Sequence, residues 1–216
     1  MIDSNNLKVD IISYPNVSRE TMGELDDFSE EIINKNKQIN LISRSTEKSI
    51  KSRHIMDSAQ TIDFIDKKDI TMCTDIGSGA GLPGIVLGIL MKPRNPLFKV
   101  IFYEKSHHKS HFLEEMSRKF KLNYEIQKKN IFDEENLETD VIISRAFKPL
   151  PVIFEIAINN FKNFKYIIIF LGKGGKKILN DALKYWNFNY EKKKSLTSGE
   201  SIIVKISNLK KKCTKK

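Results

Sequence analysis

Short β-rich runs alternate with longer spacers from residue 71 onward, and this alternation constrains the fold more than any other feature. The runs are TMCTDIG, FKVIFYE, NYEIQ, DVIISR and KYIIIFLG, and most spacers between them have the composition of helices. Such alternation is typical of βαβ units and a parallel sheet. Near the end, only TSG separates FNYEKKKSL from ESIIVKIS, which predicts an antiparallel pair at the sheet edge. The sequence therefore predicts an α/β protein.

The first third of the chain has helical periodicity instead. Between residues 18 and 40 one stripe collects most of the apolar side chains, and Ser18 is placed to cap the helix. The stripe consists of Met22, Leu25, Ser29, Ile32, Asn36 and Ile39. A second helical pattern runs from about residue 46 to 65. We expect a helical extension over 1–66, an α/β domain over 67–207 and a basic, disordered tail over 208–216, with no linker between independent domains.

Size and composition favour a soluble protein of a reducing compartment. The 216 residues suffice for one buried core without disulfides, and the two cysteines, Cys73 and Cys213, suggest no disulfide framework. The first ten residues lack the apolar stretch of a signal peptide. The longest apolar run, YIIIFL, is far shorter than the roughly 20 residues that span a bilayer. We expect a cytoplasmic protein with no membrane partner.

The chain is strongly basic, with a formal net charge of +10. Such a charge favours a polyanionic partner such as nucleic acid. Only six of the 37 basic residues are arginine, however, and an excess of Lys, Asn and Ile also arises from genome-wide base composition. Both interpretations stay open from the composition, although non-specific affinity for RNA follows from either.

A glycine-rich turn follows the first β-rich run. Residues 77–84 read GSGAGLPG, between the strand TMCTDI and the apolar IVLGIL. Glycines let a backbone approach a ligand closely, and Pro83 suits the first turn of a helix. A P-loop is excluded because no Gly-Lys-Ser/Thr ends the turn, and a dinucleotide pattern fits poorly because Leu82 stands where the third glycine belongs. The third candidate ligand is S-adenosylmethionine, which has no pyrophosphate to hold.

Two acidic residues at predicted strand ends support that cofactor. Asp75 precedes Gly77 by two residues, and Glu104 ends the strand VIFYE, where a carboxylate accepts hydrogen bonds from ribose hydroxyls. Nucleotide-binding folds share the second acid, so Glu104 alone is a weak signal. The alternative is that both acids only solvate strand ends. With the turn, they predict a cofactor site of Asp75, Gly77, Gly79, Leu82 and Glu104.

Four motifs in order along the chain, NLISR, RHIMDS, TDIGSGAGLPGIVLGI and VIISRAF, carry a family resemblance. From about residue 20 to 206 the sequence resembles the bacterial small-subunit ribosomal RNA methyltransferase G family, also called glucose-inhibited division protein B. The resemblance implies a class I S-adenosylmethionine-dependent methyltransferase fold. This fold is Rossmann-like, with a mostly parallel seven-stranded sheet, an antiparallel last strand and an N-terminal helical extension.

The same resemblance implies the reaction, which is methyl transfer from S-adenosylmethionine to N7 of a guanine in 16S rRNA. The expected partner is 16S rRNA or the small ribosomal subunit, and nothing in the sequence demands more than a monomer. By position, Asn130 and Ile131 would meet the adenine, the asparagine side chain pairing with its exocyclic amine. Arg145 would face the cofactor or substrate cleft, and Lys173 would contact the RNA backbone.

The chain departs from the family pattern in three places. Glu104 stands where members often carry Asp, which keeps the carboxylate at slightly longer reach. His108-Lys109 replaces a common basic pair, and Ser201 replaces an arginine, so neighbouring lysines would have to supply RNA contacts there.

Guanine N7 carries a free lone pair, so attack on a sulfonium methyl requires no general base. We expect the enzyme to supply in-line geometry, with Arg145 as the candidate catalytic and RNA-binding residue that donates to guanine O6. Its alternative role is a structural ion pair with a strand-end acid such as Asp75. His54 and Asp57, three residues apart on a predicted helix, are expected near the site, bracing the extension against the sheet.

No metal site is expected from the histidines. His107, His108 and His111 lie close in sequence, but no cysteine or acid completes a ligand set at the usual spacing.

Two rival functions share the predicted fold: a non-catalytic RNA-binding or ribosome-assembly factor, and a methyltransferase of small molecules or proteins. The intact glycine turn argues against the first, because a pure binder needs no cofactor pocket.

Overall fold

The fold is built around a seven-stranded sheet in strand order β3-β2-β1-β5-β7-β9-β8. The computed structural model describes residues 17–65, 68–196 and 198–213. Strands β3, β2, β1, β5 and β7 are parallel, and β9 runs antiparallel to both β7 and β8. The strands are β1 (Met72–Ile76), β2 (Lys99–Tyr103), β3 (Asn123–Gln127), β4 (Leu137–Glu138), β5 (Val141–Arg145), β6 (Phe161–Asn163), β7 (Tyr166–Leu171), β8 (Trp186–Lys194) and β9 (Ile202–Lys211). The predicted mostly parallel sheet with an antiparallel last strand is confirmed.

Helices cover both faces of this sheet. The crossovers contain α4 (Gly84–Met91), α5 (His107–Lys119), α6 (Leu150–Asn160) and α7 (Gly175–Ala182). The chain builds β1, β2 and β3 towards one edge and then returns to place β5 beside β1. This reversal of strand order opens a crevice at the carboxyl ends of β1 and β5, which is where open α/β sheets bind ligands. Short strands β4 and β6 pair with each other outside the main sheet.

The extension begins with helix α1 (Arg19–Asn36). Ser18 caps it as predicted, because its Oγ accepts the Thr21 N–H at 3.1 Å. The predicted second helix is broken into a 3-10 helix (Arg44–Ser49), a π-helix (Lys51–Met56), α2 (Asp57–Ala59) and α3 (Ile62–Ile65). Hydroxyl side chains explain the irregularity: Ser58 donates to His54 O and Thr61 to Ser58 O, and such bonds compete with a regular helical ladder.

One apolar core joins the extension to the α/β layers. Phe28 and Ile32 of α1 are fully buried, and the Phe28 ring packs edge-on against Phe120, with centroids 6.0 Å apart. A second core fills the opposite face of the sheet, where Phe154 of α6 packs against Trp186 and Phe188. The extension is therefore held by burial as well as by polar contacts, which fixes its position over the sheet.

The carboxyl terminus differs from the prediction. Residues 208–211, expected to begin a disordered tail, lie in β9 and pair with β8, where Lys211 is opposite Trp186. Pairing satisfies the backbone here, and the Lys211 ammonium also reaches Glu155 at 2.5 Å and lies over the Trp186 ring. Residues 214–216 of the predicted tail lie outside the described part.

Within the described ranges, no helix combines the length and apolarity needed to cross a bilayer.

Candidate functional site

The glycine turn after β1 is held against β2 by its own backbone. Gly77, Gly79 and Gly81 adopt positive φ angles of 74°, 55° and 80°, a region that costs other residues about 1–2 kcal/mol each. The N–H groups of Gly77 and Ser78 both donate to Tyr103 O, at 3.0 and 3.2 Å. A Cβ at Gly79 would meet no atom of residues 17–65, 68–196 or 198–213 closer than 3.9 Å. The turn is thus rigid, and its backbone at Gly79 faces open space.

A cavity of about 710 Å³ lies in front of the turn, at the carboxyl ends of the parallel strands. This volume is within the range of small-molecule sites. Four segments line it: residues 77–80 after β1, 103–105 at the end of β2, 129–132 after β3 and 145–148 at the end of β5. The extension adds residues 41–43 and His54. The NLISR and VIISRAF motifs therefore meet at one cavity, although about a hundred residues separate them.

Glu104 joins the end of β2 to the glycine turn. Its Oε2 accepts the Gly79 N–H at 3.0 Å, and its Oε1 accepts the Ser106 N–H at 2.8 Å. The structure thus brings together the carboxylate and the bare backbone that the sequence predicts as parts of one site. A ribose placed at this rim would find an acceptor already oriented by two backbone donors.

Asp75 has a different position from the one predicted. It is 1% exposed, does not line the cavity and lies beneath the turn, where its Oδ2 accepts the Gly84 N–H at 3.0 Å. Its Oδ1 has no hydrogen-bond partner among the described residues. Burial raises the pKa of Asp75 to about 7. The structure makes this residue a support for the turn and for the start of α4.

The residues predicted to meet adenine line the cavity on the β3 side. Ile131 is buried and Asn130 is exposed at the start of a short 3-10 helix (Ile131–Asp133). A buried side chain missed by sequence reasoning holds this loop, because Asn160 Nδ2 donates to Ile131 O at 2.8 Å and to Glu134 O at 2.5 Å. Asn160 ends α6, and no local motif marks it.

Arg145 lines the cavity, but its guanidinium is engaged by the extension. One terminal nitrogen donates to Arg53 O at 2.7 Å, and the other donates to His54 O at 3.2 Å and Ser58 Oγ at 3.3 Å. Its nearest acid is Asp57 at 3.8 Å, so the structural ion pair considered from the sequence forms with Asp57 and not with Asp75. The guanidinium also lies over the Phe170 ring. The arginine ties β5 to the extension beside the cavity.

His54 and Asp57 make contacts across segments. His54 Nε2 is 2.9 Å from Thr46 Oγ1, and burial, with the Arg145 and Arg53 charges, lowers its pKa to about 4. Asp57 Oδ1 accepts from Ser195 Oγ at 2.6 Å, which links the extension to the connection after β8. These contacts hold the extension in place beside the sheet. The imidazole beside the cavity is neutral at physiological pH.

Two groups of predicted residues lie away from the cavity. Lys173 is not part of its lining and pairs with Glu200 at 3.5 Å. Among the histidines of α5, His111 contacts Glu115 at 3.2 Å, and the His107 ring packs against His108. In the described part of the chain, no group of three or more histidine, cysteine or acidic side chains is arranged to hold a metal ion.

Two sets of lining residues were not predicted as site residues. Lysines ring the cavity: Lys105, Lys109, Lys129 and Lys148. In a lysine-rich chain no local pattern distinguishes them. The second set is the loop of residues 41–43, which Asn36 holds because its Oδ1 accepts from Leu41 N at 2.7 Å and from Ile42 N at 3.0 Å. The resemblance marked this loop by its sequence only.

Comparison with known proteins identifies the family. The sequence profile of the family described as rRNA small subunit methyltransferase G matches residues 21–205. The chain belongs to this family. It is 47% identical over 204 residues to the Ribosomal RNA small subunit methyltransferase G of Pelagibacter ubique, with 94% of this chain and 95% of that relative covered. The protein of the same name from Ruegeria pomeroyi is 32% identical, with 90% and 94% covered. The predicted family resemblance is confirmed.

Solved structures agree on the fold of this family member. A S-adenosylmethionine-dependent methyltransferase from Aquifex aeolicus superimposes with a TM-score of 0.53 at 18% identity, covering 81% of this chain and 97% of that one. The 16S rRNA methylase RmtB superimposes with a TM-score of 0.53 at 13% identity, covering 88% and 75%. Likeness at such low identity establishes a class I methyltransferase fold, as predicted.

Proposed function

We propose that the protein transfers a methyl group from S-adenosylmethionine to N7 of a guanine in 16S rRNA, acting as a cytoplasmic monomer on the RNA or on the small ribosomal subunit. Family membership supports the reaction. The observation that carries the cofactor assignment is the contact between Glu104 and the Gly79 N–H at the rim of a ligand-sized cavity. The domain limits proposed for this activity are 1–66 for the extension and 67–211 for the catalytic fold, because β9 ends at Lys211.

The lining residues fit S-adenosylmethionine. The open backbone at Gly79 admits the methionine end, Leu82 adds an apolar wall, and Glu104 offers a carboxylate to the ribose. Asn130 and Ile131 provide an amide and a backbone N–H for the adenine. Bound there, the cofactor supplies an electrophilic methyl group on a cationic sulfur.

For this reaction the protein has to align guanine N7 with the methyl group and to tolerate a positive charge in the site. With the cofactor bound, the lone pair of guanine N7 would form the new bond to the methyl carbon as the sulfur–carbon bond breaks and leaves its electron pair on sulfur. No proton would leave N7, so no residue of this chain has to act as a base. The residues of the cavity would have to align the two reactants, which accounts for much of the barrier reduction, and to tolerate a positive charge that passes from sulfur to the base.

Arg145 enters this scheme as a positioning residue. The donors predicted to reach guanine O6 are bound to the carbonyls of Arg53 and His54. We propose that Arg145 keeps the extension over the cavity, while lysines of the cavity rim donate to O6 and to phosphates. Lys173 lies outside the cavity and is proposed as a more distant RNA contact. The summed positive charge contributes salt-dependent affinity for RNA.

Labelled S-adenosylmethionine tests this function directly. The wild-type protein is incubated with small subunits that lack the modification or with naked 16S rRNA, and N7-methylguanine is mapped by borohydride and aniline cleavage. We expect label at one guanine of 16S rRNA. Label only in protein or in small molecules would identify the rival methyltransferase class, and no cofactor binding at millimolar concentration would identify a non-catalytic binder.

A variant pair ties the activity to the site. Glu104→Ala removes the proposed ribose acceptor and should weaken cofactor affinity at least tenfold, because a charged hydrogen-bond acceptor is worth about 1.5–3 kcal/mol. Glu200→Ala removes an exposed acid outside the cavity lining and should leave affinity unchanged. Equal affinities in the two variants would remove Glu104 from the cofactor site.

A further inference from the structure

Two phenylalanines and a lysine form an aromatic cluster on the wall of the cavity. Phe132 follows the predicted adenine contacts, and Phe147 and Lys148 follow β5. The Phe132 side chain belongs to a residue that is 47% exposed, which is unusual for a large apolar group beside a cavity. Nothing in the cofactor site described above requires an exposed aromatic ring at this position.

The two rings have different roles because they have different surroundings. Phe147 is half-buried and packs on the glycine turn: a Cβ at Gly77 would lie 2.2 Å from its Cδ2 atom. The ring of Phe132 is tilted by 38° to that of Phe147, with centroids 6.4 Å apart. A base inserted between two rings needs parallel planes about 7 Å apart, twice a van der Waals contact. A base in this cavity would therefore have room to stack on the exposed Phe132 ring but not between the two rings.

The cluster is also suited to a cation. The ammonium of the exposed Lys148 lies 5.9 Å from the Phe132 centroid and 5.8 Å from the Phe147 centroid, so a cation can reach both rings, and a cationic base on Phe132 would have to displace this lysine. Aromatic faces attract cations through the ring quadrupole. A guanine that receives a methyl group at N7 becomes cationic, and an aromatic face beneath it stabilises that charge as it develops.

We propose that Phe132, supported by Phe147, is the stacking platform for the target guanine. The inference rests on the proposed function and adds the place where the base is held. It implies an unstacked guanine as the substrate, because a base paired in a duplex cannot present its face to a ring in a cavity wall. The lysines of the cavity rim lie beside this platform and suit the phosphates that flank the base.

Three substitutions at Phe132 test the platform with undermethylated small subunits. Phe132→Ala should lower kcat/KM about tenfold, which lies within the range for loss of one base–aromatic stack. Phe132→Leu keeps apolar area without a ring and should lose nearly as much, whereas Phe132→Trp should retain activity. Tyr185→Ala, at a 64% exposed aromatic residue outside the cavity lining, is the matched control and should behave as wild type. Cofactor affinity, measured by calorimetry, should change less than twofold in each.

The outcomes separate this inference from the proposed function. If the wild-type protein places no methyl group in 16S rRNA, the proposed function fails and the platform with it. If the wild type is active and Phe132→Ala is equally active, only the platform is overturned. A tenfold loss of cofactor affinity in Phe132→Ala would also overturn it and would assign the ring to the adenine, and wild-type activity of Phe132→Leu would exclude an aromatic role.

A binding experiment provides a second readout without RNA. The only tryptophan, Trp186, is 3% exposed and lies in the second core, so the Phe132→Trp variant adds an exposed indole at the cavity. With S-adenosylhomocysteine present, N7-methylguanosine monophosphate should quench the added fluorescence at lower concentration than guanosine monophosphate. Equal quenching by both nucleotides, or none, would contradict a platform that favours the cationic base.

Discussion

A cavity lies at each end of the parallel sheet, but the polar groups that line the two cavities are engaged in different ways. The carboxyl end has the cavity of about 710 Å³, and the amino end has one of about 480 Å³ that includes Asp140 and Lys165 in its lining. At the amino end the charges satisfy each other, since Lys165 pairs with both Asp140 and Asp69 at 3.1 Å. Volume alone therefore does not distinguish a ligand site. The carboxyl end is distinguished by bare backbone and by acceptors at its rim.

Two aspartates show the same contrast in their pKa values. Burial beneath the glycine turn raises the pKa of Asp75 to about 7. At Asp140 burial acts upward, but hydrogen bonds from Thr71, Lys165 and Met72 outweigh it and lower the pKa. The ionised Asp140 carboxylate stabilises the fold, whereas burial disfavours the ionised form of the Asp75 carboxyl group. Asp75 therefore supports the glycine turn best when its carboxyl group is protonated.

The largest effect is expected at Gly77. Gly77→Val imposes a positive φ on a β-branched residue and drives a Cβ into the Phe147 ring, at a combined cost of roughly 4 kcal/mol. If the turn moves in the free protein to relieve this strain, binding has to restore it, and S-adenosylhomocysteine affinity measured by calorimetry should fall by up to about a thousandfold. Gly172→Ala, where a Cβ meets no atom of the described residues within 4 Å, is the control. Affinity preserved in Gly77→Val would remove the turn from the cofactor site.

Arg145→Ala should lower the free energy of unfolding by about 3 kcal/mol, because charged hydrogen bonds to two backbone carbonyls are lost. Turnover should fall strongly, while cofactor affinity should largely persist. Urea unfolding and calorimetry measure the two effects. Arg118→Ala, which removes an exposed pair with Glu114, is the control and should leave stability close to that of the wild type. Full stability with lost turnover would instead make Arg145 a direct substrate contact.

Asp140→Ala should affect stability alone. Its Oδ2 accepts the N–H groups of Thr71 and Met72 at 2.8 and 3.0 Å, so the loss should be about 2 kcal/mol at neutral pH. Because the folded pKa is depressed, this stabilisation is present above the unfolded value and is lost as the pH falls through the folded value. Urea unfolding at pH 7 and pH 3 should show the difference shrinking. Reduced turnover at a temperature where the variant is folded would show that the amino end of the sheet also contributes to activity.

Asp75→Asn, which keeps an acceptor for the Gly84 N–H, should change the pH dependence of stability. The folded pKa of Asp75 is about 7 and exceeds its ordinary value of 3.8, so the wild type loses stability as the pH rises from about 4 to 7. The asparagine does not titrate. Relative to the wild type, the variant should gain at least about 1 kcal/mol between pH 4 and pH 8. A pH-independent difference would contradict the assignment of a buried carboxyl group that resists ionisation.

The sequence was sufficient for the sheet and for the edge where ligands bind. β-rich runs give the strands, and the glycine turn and Glu104 follow two of them, so parallel pairing brings them together at one edge. The contacts of Arg145 with Arg53 and His54 were not predictable in the same way. They join residues about ninety positions apart, and no local pattern encodes which carbonyl a guanidinium will reach.

Predictions made from local sequence patterns were also wrong where contacts between distant residues decide the structure. The apolar period over 46–65 predicts helix, but serine and threonine bonds to backbone carbonyls decide which kind of turn forms. The lysine-rich end reads as a tail, yet β8 supplies a partner for residues 208–211. Asp75 looked like a ligand contact because strand-end acids often are, and only the three-dimensional position of Gly84 places it beneath the turn.

A crystal structure of the chain with S-adenosylhomocysteine would locate the cofactor site. We expect the amino acid end of this product against Gly77 and Gly79, the ribose hydroxyls on Glu104 and the adenine beside Asn130 and Ile131. Density for the product in any other place, or a cavity that stays closed to it while the protein binds it in solution, would show that the glycine turn and Glu104 do not form the cofactor site.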